Sequence, residues 1–392
     1  MSKKPDRVIC ICTGARSEYG ILRPLMRRLS AHRGFRLQIV AAGMHLSREF
    51  GHTVSAVLAD GFAAPALVRM LPRDDTLPSM AESVGRGIIG FTKAFRRLAP
   101  DIVVVLGDRT EAFAAAAAAT LSGKILAHIH GGDRAEAGYD DFMRHAITKL
   151  AHIHFAATRE SARRIKRLGE RKDGIFVVGA PGLDEIRTAK LRRPAETKAK
   201  LSFDPEKPLI LCVQHSISTH PETAAAEIKE TLSALRVLAL PTVLVYPNSD
   251  AGGRAMISAI KTYEKKFARR GGWLRAYRSL SRDEFLAVMK AAAVMVGNSS
   301  SGIIEAASFG LPVVNIGRRQ AGRQRSGNTL DVPPVKKEIL FAARRILTDA
   351  RLRRKLSSAR NVYGDGRASE RIVRVLEKID IGPDVRKKQI TY

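Results

Sequence analysis

The sequence has few aromatic residues and almost no cysteine. Phe, Trp and Tyr together make up 6% of the 392 residues, and the three cysteines are Cys10, Cys12 and Cys212. Each cysteine stands in an apolar run without metal-ligand spacing, which indicates buried small side chains rather than a disulfide framework or a metal site. No apolar run reaches the roughly 18 residues that a membrane span needs, and the N-terminus lacks a secretory signal pattern. We therefore expect a cytoplasmic protein that has no membrane partner.

Acidic residues are also scarce relative to basic ones. Asp and Glu number 38 against 67 Lys and Arg, which leaves a formal net charge of +29. Such a charge favours anionic partners. However, the basic residues are spread through helical segments with few aromatic rings on which nucleic-acid bases could stack. A general attraction for anionic substrates is therefore the preferred interpretation, and nucleic acid is not expected to be the main partner.

The chain shows two series of apolar strands alternating with helical patterns. Its length suggests two domains of roughly 150–200 residues each, and the alternation is typical of doubly wound parallel α/β sheets. We expect about seven strands in the first series and five in the second, which begins at Leu209 after a charged, irregular stretch at 182–208. The predicted domains are 1–183 and 184–365, and the predicted C-terminal helix at 366–392 returns to the first domain. A cleft between two such domains is a favoured ligand site.

The stretch from Ile102 to Leu150 carries ionisable residues where two predicted strands end. The first strand runs into Gly107-Asp108-Arg109, and the second ends at His128-Ile129-His130-Gly131-Gly132-Asp133. Ligands of open parallel sheets bind at the carboxyl ends of strands, where loops and helix N-termini converge. The stretch is therefore predicted to form one wall of a binding site.

The helix predicted from Asp140 to Leu150 has two different faces. Residues spaced by three, four and seven form an apolar stripe: Met143, Ala146, Ile147 and Leu150. The opposite face is polar and mixes acids with bases: Asp141, Arg144, His145 and Thr148. An ordinary solvated face would consist mainly of Lys and Glu.

Anion-binding patterns occur in both halves of the chain. The turn after the first strand contains Arg16 and Glu18, although this turn alone is also compatible with a surface ion pair. The segment Gly297-Asn298-Ser299-Ser300-Ser301-Gly302 leads from a strand into a helix, a geometry that suits a diphosphate. A plain serine N-cap would explain only one of the three serines. The Arg-rich loop at 318–328 is predicted to clamp phosphate or to form a mobile basic lid.

Ten motifs, in order, resemble one family along nearly the whole chain. They are TGARSEYGILRPL, GMHLSREFG, VLGDRTEA, HIHGGD, YDDFMRHAITKLAH, VGAPGLD, VQHSIS, YPNSDAG, GNSSSGIIEAASFGLPVVNIGRRQAGR and YGDG. This combination resembles the hydrolysing UDP-N-acetylglucosamine 2-epimerases, including the branch that acts on diacetamido sugars of sialic and legionaminic type. The resemblance implies a GT-B-like fold of two Rossmann-like domains around a central cleft. It also implies a UDP- or GDP-linked acetamido sugar as substrate, no cofactor, no metal, and a homo-oligomer, either a dimer or a tetramer.

The resemblance implies a role for each matching residue. The catalytic set comprises Asp108, His130, Asp133, Asp140 and His215. The substrate-binding set comprises Arg16, Arg109, Arg144, His145, Ser299, Ser300, Ser301, Glu305 and Arg319. Within these sets, Asp108 and Asp140 would be acid–base carboxylates and His215 would hold the leaving diphosphate.

Two positions differ from many members of this family. Those members carry Glu at the positions of His130 and Asp133, while another branch has His at the first position. Whether His130 or a carboxylate removes the proton from carbon 2 of the sugar, and which sugar and base are bound, therefore stays open.

Three other functions share parts of this pattern. A non-hydrolysing epimerase would return the intact nucleotide sugar, although the HGGD and GDR motifs favour the hydrolysing branch. A GT-B glycosyltransferase would share the nucleotide half of the site and need an acceptor. A basic nucleic-acid-binding or scaffold protein would explain only the net charge.

Overall fold

The computed structural model describes residues 6–72, 74–135, 138–267, 273–389 and 391. Residues 1–5 of the first predicted domain, 268–272 of the second, and 390 and 392 of the predicted C-terminal helix lie outside these ranges. None of the described helices is long and apolar enough to cross a bilayer.

The first half of the chain forms a parallel sheet of seven strands, as predicted. The strands are β1 (Arg7–Thr13), β2 (Phe35–Ala42), β3 (Ala66–Val68), β4 (Ile102–Leu106), β5 (Ile125–Ile129), β6 (Ile153–Ala156) and β7 (Ile175–Val177). Their order across the sheet is β3-β2-β1-β4-β5-β6-β7. The order reverses between β1 and β4, so the loops that follow these two strands diverge and leave a crevice between them.

Six helices cover the two faces of this sheet. They are α1 (Arg16–Ala31), α2 (Val54–Ala59), α3 (Leu77–Leu98), α4 (Thr110–Leu121), α5 (Asp140–Leu150) and α6 (Arg159–Arg167). Small residues allow α3 and α4 to pack closely, because a Cβ added to Gly87 would lie 2.7 Å from the Cβ of Ala114. The alanine-rich sequence of α4 is thereby explained by packing against both α3 and the sheet.

The stretch at 182–208 contains two short helices where the sequence suggested irregular structure. They are α7 (Gly182–Thr188) and α8 (Pro194–Lys200). The second starts with proline at its first helical position, and the Glu196 carboxylate accepts the Arg193 backbone N–H at 3.1 Å. Both helices are short and charged, so they leave no apolar periodicity that would reveal them.

The second half forms a parallel sheet of six strands rather than the five expected. The strands are β8 (Leu209–Val213), β9 (Thr242–Val245), β10 (Leu274–Tyr277), β11 (Ala292–Gly297), β12 (Val313–Ile316) and β13 (Thr329–Val332). Their order is β10-β9-β8-β11-β12-β13, with the reversal between β8 and β11. The additional strand, β13, lies at the edge of the sheet and is only partly buried, which explains its weak apolar signal.

Eight helices complete the described part of the chain. They are α9 (Ala224–Leu238), α10 (Gly253–Phe267), α11 (Arg282–Ala291), α12 (Ser300–Ile304), α13 (Lys336–Thr348), α14 (Ala350–Ser357), α15 (Ala368–Lys378) and α16 (Pro383–Arg386). Ile372 and Leu376 of α15 pack into the core beneath the first sheet. The carboxylate of Asp184, in α7, accepts the backbone N–H groups of Ala368 at 2.8 Å and Ser369 at 2.6 Å at the start of α15.

The chain therefore passes between the two halves twice, and the two passages touch. The backbone N–H of Ala180 donates to the carbonyl of Tyr363 at 2.8 Å. A Cβ added to Gly364 would lie 3.1 Å from the Cα of Gly179, so the two backbones meet where neither residue has a side chain.

Candidate active site

A cavity of about 280 Å³ lies between the carboxyl ends of the two sheets. Residues predicted for the site from the first half of the chain line one wall: Arg16, Asp108, Arg109, His130, Asp133, Asp140 and Arg144. Residues predicted from the second half line the other: His215, Ser299, Ser300, Ser301, Glu305 and Arg319. The structure thus brings together residues that are as far apart in the sequence as Arg16 and Arg319.

His145 is the predicted site residue that the structure does not bring to the cavity wall. Its Nε2 lies 3.4 Å from Asp141 Oδ2, one turn earlier in α5. Successive helical residues point about 100° apart, so a helix that directs Arg144 to the cavity directs His145 elsewhere. The expectation that His145 binds substrate therefore stays a prediction, and the lining of this cavity does not support it.

The polar face of α5 is buried more deeply than its apolar stripe. Arg144 is only 1% exposed, and its guanidinium donates to Asp141 at 2.7 Å, to the carbonyl of Asp133 at 3.2 Å, and to Asp108. In the stripe only Ile147 is fully buried. Arg144 therefore serves as a buried cationic centre that fixes the positions of surrounding acidic groups.

Asp108 and Asp140 are held in different ionisation states by their surroundings. Burial raises the pKa of Asp108, but the charges of Arg144 and Arg323 outweigh it and leave the pKa below its ordinary value. For Asp140, burial and then the negative charge of Asp108 raise the pKa to about 7, against the opposing charge of Arg319. Near neutral pH one carboxylate is ionised while the other holds a proton for about half the time, a division typical of acid–base pairs.

His130 and Asp133 form a hydrogen-bonded pair at the end of β5. His130 Nδ1 lies 3.0 Å from Asp133 Oδ2, and Ser161 Oγ donates to Asp133 Oδ1 at 2.7 Å. Burial opposes ionisation of Asp133, but the hydrogen bond from His130 and the charge of Arg323 hold its pKa well below the ordinary value. Asp133 is therefore a buried anion with partners on both oxygens.

The segment Gly297 to Gly302, called here the serine loop, is joined to His215 through Asn298. The side-chain amide of Asn298 accepts the backbone N–H of His215 at 2.7 Å and donates to the His215 carbonyl at 2.9 Å. Ser299 caps α12, where its hydroxyl accepts the Ser301 N–H, and its Oγ lies 2.9 Å from Ser301 Oγ. The ends of β8 and β11 are thereby held together.

His215 is neutral, and its tautomer is defined by a backbone donor. Burial, followed by the charges of Arg319 and Arg109, lowers the pKa of His215 well below its ordinary value. The backbone N–H of Asn248 donates to Nδ1 at 3.2 Å. The remaining ring hydrogen is therefore on Nε2.

The Arg-rich loop after β12 reaches carboxylates on the opposite wall. Arg319 Nη2 lies 3.3 Å from Asp140 Oδ2, and Arg323 Nη1 lies 3.4 Å from Asp133 Oδ2. Both guanidinium groups are therefore held over the cavity by ion pairs. Arg323 was not among the site residues predicted from the sequence, although it lies in the Arg-rich loop that was predicted to clamp phosphate.

Two further charged residues of the cavity wall had weaker sequence signals. Arg282 is buried at the start of α11, donates to Glu305 and to the Gly182 carbonyl, and looks in the sequence like part of an ordinary capped helix. Glu18 is buried beside the cavity and accepts the Gly14 N–H at 2.5 Å. Burial, reinforced by Glu111, raises the pKa of Glu18 to about 8.

Among the described residues, no group of three or more His, Cys, Asp or Glu side chains is arranged to hold a metal ion. The cavity instead combines acid–base groups on one wall with hydroxyl and cationic groups on the other. Two Rossmann-like halves enclosing such a cavity define the GT-B class of proteins.

Comparison with known proteins identifies the family. The family UDP-N-acetylglucosamine 2-epimerase matches residues 27–377. A Legionella pneumophila protein named UDP-N,N'-diacetylbacillosamine 2-epimerase (hydrolyzing) is 37% identical, over 98% of this chain and 100% of its own. A Campylobacter jejuni protein named GDP/UDP-N,N'-diacetylbacillosamine 2-epimerase (hydrolyzing) is 32% identical, over 83% and 84%. The chain belongs to the UDP-N-acetylglucosamine 2-epimerase family of enzymes.

Solved structures agree on the fold. The crystal structure of UDP-GlcNAc 2-epimerase from Neisseria meningitidis bound to UDP-GlcNAc superposes with a TM-score of 0.79, at 20% identity and covering 95% of this chain and 100% of that one. The predicted α/β architecture with a central cleft is therefore confirmed.

Proposed function

We propose that the protein is a hydrolysing 2-epimerase, which converts a nucleotide-activated 2-acetamido sugar to the free 2-epimeric sugar and a nucleoside diphosphate. The observation that carries the proposal is one cavity in which two carboxylates of different ionisation, Asp108 and Asp140, face a serine-lined wall. Epimerisation requires a proton to be removed and returned, and loss of a diphosphate requires an anion site. Membership of the family supports the same reaction.

We propose a UDP-linked diacetamido sugar as the substrate. Support comes from the Legionella and Campylobacter relatives, both of which are named for diacetylbacillosamine. The apolar side chains of Met44 and Phe50 also line the cavity, and such surface suits the methyl groups of acetamido substituents. A product of this kind belongs to the biosynthesis of sialic or legionaminic acid-type sugars.

The reaction proceeds by elimination followed by hydration. Removal of the carbon 2 proton leaves an electron pair that forms the double bond between carbons 1 and 2. The bond from carbon 1 to the diphosphate breaks, and its electron pair leaves with the nucleoside diphosphate. Water then gives its hydroxyl to the glycal at carbon 1, and a proton is added to carbon 2 on the opposite face.

Inversion at carbon 2 requires two groups, because the proton leaves from one face and arrives at the other. Asp140 is suited to return the proton, since its raised pKa keeps it partly protonated near neutral pH. Asp108 stays ionised and is suited to accept the proton of the attacking water. Asp108 is held for this purpose by Arg144.

The second half of the cavity holds the departing diphosphate. His215 carries its hydrogen on Nε2 and remains neutral, so it can donate to a phosphate oxygen without competing for a proton. Ser299, Ser300 and Arg319 supply further donors. Glu305, whose carboxylate is paired with Arg282, is assigned to the ribose.

The direct test is a panel of UDP- and GDP-linked acetamido sugars incubated in deuterated water and followed by NMR. The expected products are a nucleoside diphosphate and a free 2-epimeric sugar with deuterium at carbon 2. An epimerised but intact nucleotide sugar would indicate the non-hydrolysing reaction. Nucleoside diphosphate that forms only after an acceptor is added would indicate a glycosyltransferase.

We further propose that the enzyme is a cytoplasmic homo-oligomer, a dimer or a tetramer. The outer side of α4 carries only uncharged residues, and Leu121 at its end is 84% exposed. Phe142 in the neighbouring helix α5 is 68% exposed. Such an uncharged helical surface suits contact with a second copy of the chain. The oligomeric state is measured by sedimentation velocity. The proposed cytoplasmic location is supported by the three cysteines, which are free thiols as expected in a reducing compartment.

A further inference from the structure

We infer that Ser161 and Asp133 hold His130 in one tautomer, and that the imidazole thereby presents an unprotonated Nε2 that removes the proton from carbon 2. The removal of that proton rests on the proposed function, whereas the tautomer rests on the hydrogen bonds alone. His130 is the catalytic residue in this inference, and Asp133 and Ser161 are positioning residues.

The hydrogen bond between His130 and Asp133 determines which ring nitrogen carries the hydrogen. His130 Nδ1 lies 3.0 Å from Asp133 Oδ2. An ionised carboxylate can only accept, so Nδ1 must donate, and in a neutral imidazole Nε2 is then unprotonated. Within the described part of the chain Nε2 has no hydrogen-bond partner, and His130 lines the cavity. The lone pair of Nε2 is therefore available to substrate.

Asp133 is itself held by two further contacts, one from Arg323, whose Nη1 lies 3.4 Å from Oδ2, and one from α6. Ser161 Oγ donates to Asp133 Oδ1 at 2.7 Å, and Thr158 Oγ1 lies 3.0 Å from Ser161 Oγ. Because the Ser161 hydrogen is directed to Asp133, the Thr158 hydroxyl donates to Ser161. A chain of three hydrogen bonds thus runs from the start of α6 to the imidazole.

The backbone of the loop after β5 is shaped to make this contact. His130 has φ of 65°, a left-handed conformation that is uncommon for residues other than glycine. Gly132 has φ of 72°, and a Cβ at this position would overlap the carbonyl oxygen of Ser161. Only a glycine lets the loop lie against α6, which places Asp133 within reach of Ser161.

The chain of hydrogen bonds also supports the proton transfer. When Nε2 takes the proton from carbon 2, the ring becomes an imidazolium whose Nδ1–H still points at the Asp133 carboxylate. The carboxylate stabilises the new positive charge without accepting the proton, which is the role that a buried aspartate has beside a catalytic histidine. The proton stays on His130 until solvent removes it after product release.

The tautomer is measured by long-range 1H–15N NMR spectra of protein labelled at histidine. The expected wild-type signal is an Nδ1–H tautomer, assigned to His130 by its loss in His130→Gln. In Asp133→Asn the negative charge that favours Nδ1–H is lost, and a single amide oxygen remains for Ser161, Arg323 and His130, so the Nε2–H tautomer should gain population. We expect kcat to fall by about 10²–10⁴-fold with KM nearly unchanged, and Ser161→Ala to give a smaller fall.

The matched control is Asp173→Asn, which makes the same chemical change at an exposed carboxylate paired with Arg171. It should leave both the tautomer and kcat unchanged. A wild-type His130 with its hydrogen on Nε2 would overturn the inference even if the enzyme is active. Unchanged tautomer and kcat in Asp133→Asn would overturn the positioning role. An Nδ1–H tautomer in a protein that epimerises no nucleotide sugar would instead overturn the proposed function and with it the proton removal.

Discussion

The site depends on how buried charges are distributed around a few side chains. The positive charge of Arg144 acts on Asp108. Asp140 lies near the negative charge of Asp108 and the positive charge of Arg319. Two carboxylates in one cavity thereby acquire different protonation states. The same logic applies to His215, which burial and nearby arginines keep neutral.

Asp108→Asn and Asp140→Asn should each lower turnover by at least about a hundredfold, because each removes a group that gains or loses a proton. Steady-state release of nucleoside diphosphate measures the effect, and circular dichroism checks that both variants fold. Near-wild-type turnover in both variants on the correct substrate would contradict the assignment.

Removal of the Asp108 charge should also lower the pKa of Asp140. In the wild type, Asp140 titrates near 7 partly because Asp108 is negative. In Asp108→Asn that repulsion is absent and Arg144 has one anion fewer to neutralise, so Asp140 should lose its proton at a lower pH. The titration is followed by 13C NMR of labelled aspartate carboxyl groups. A midpoint that stays near 7 would show that burial alone sets it.

Glu18→Gln should make the free energy of unfolding less dependent on pH. The folded protein keeps the Glu18 proton until its pKa of about 8, whereas the ordinary value is 4.5. Between these values the unfolded chain binds fewer protons, so stability falls as pH rises, by up to about 1.4 kcal/mol per unit. The Gln amide oxygen can still accept the Gly14 N–H. Denaturant midpoints at pH 5.5 and 7.5 should therefore differ less in the variant than in the wild type.

Several of the site residues predicted from the sequence stand in motifs directly after strands. Asp108, His130 and His215 follow the ends of β4, β5 and β8, and parallel sheets bring such ends together. Arg282 and Ser161 could not be found in this way, because each lies in the first turn of a helix as an ordinary polar residue. Their contacts join segments that only the tertiary structure brings together.

At the level of elements, local periodicity predicted the strands of the first sheet but not every helix face. The central strands β1, β4, β5 and β6 are buried on both faces and give continuous apolar runs. Edge strand β13 and the short helices α7 and α8 lack such runs. In α5, the burial of Arg144 could not be predicted from the sequence, because arginine side chains are mostly exposed to solvent.

The junction between β11 and the serine loop requires a glycine. Gly297 has φ of 136°, and a Cβ there would overlap the carbonyl oxygen of Val213 in β8. Gly297→Ala should therefore destabilise the second sheet by several kcal/mol and displace the loop. Gly123 has φ of 64° with no atom within 4 Å of its added Cβ. Gly123→Ala should cost only about 1–2 kcal/mol of left-handed strain.

Thermal denaturation and nucleoside diphosphate affinity, measured side by side for these two alanine variants, separate the steric effect from backbone strain. Equal losses of stability in both variants would contradict the assigned overlap with Val213.

For the whole molecule, the surplus of positive charge acts on a negatively charged substrate. The net charge is +29, and the field of such a protein raises the local concentration of anions. We expect kcat/KM to fall at least about threefold as NaCl rises from about 0.05 M to 0.5 M, because salt shortens the screening length. Turnover at saturating substrate should change little. A kcat/KM independent of salt would show that the charge serves another purpose.

The architecture of two α/β halves was predictable from the repeated alternation of strands and helices. The points where the chain passes between the halves were not. These passages depend on backbone contacts between residues far apart in sequence, such as that between Ala180 and Tyr363. In the sequence, only the nearby glycines mark the positions of these passages.

Those adjacent passages place both backbone crossings between the two halves at one point, where the Ala180 N–H donates to the Tyr363 carbonyl. The two walls of the cavity are also joined directly by the ion pairs of Arg319 with Asp140 and of Arg323 with Asp133. The position of His215 and the segment 297–302 opposite Asp108 and Asp140 therefore depends on the backbone crossing and on these side chains together.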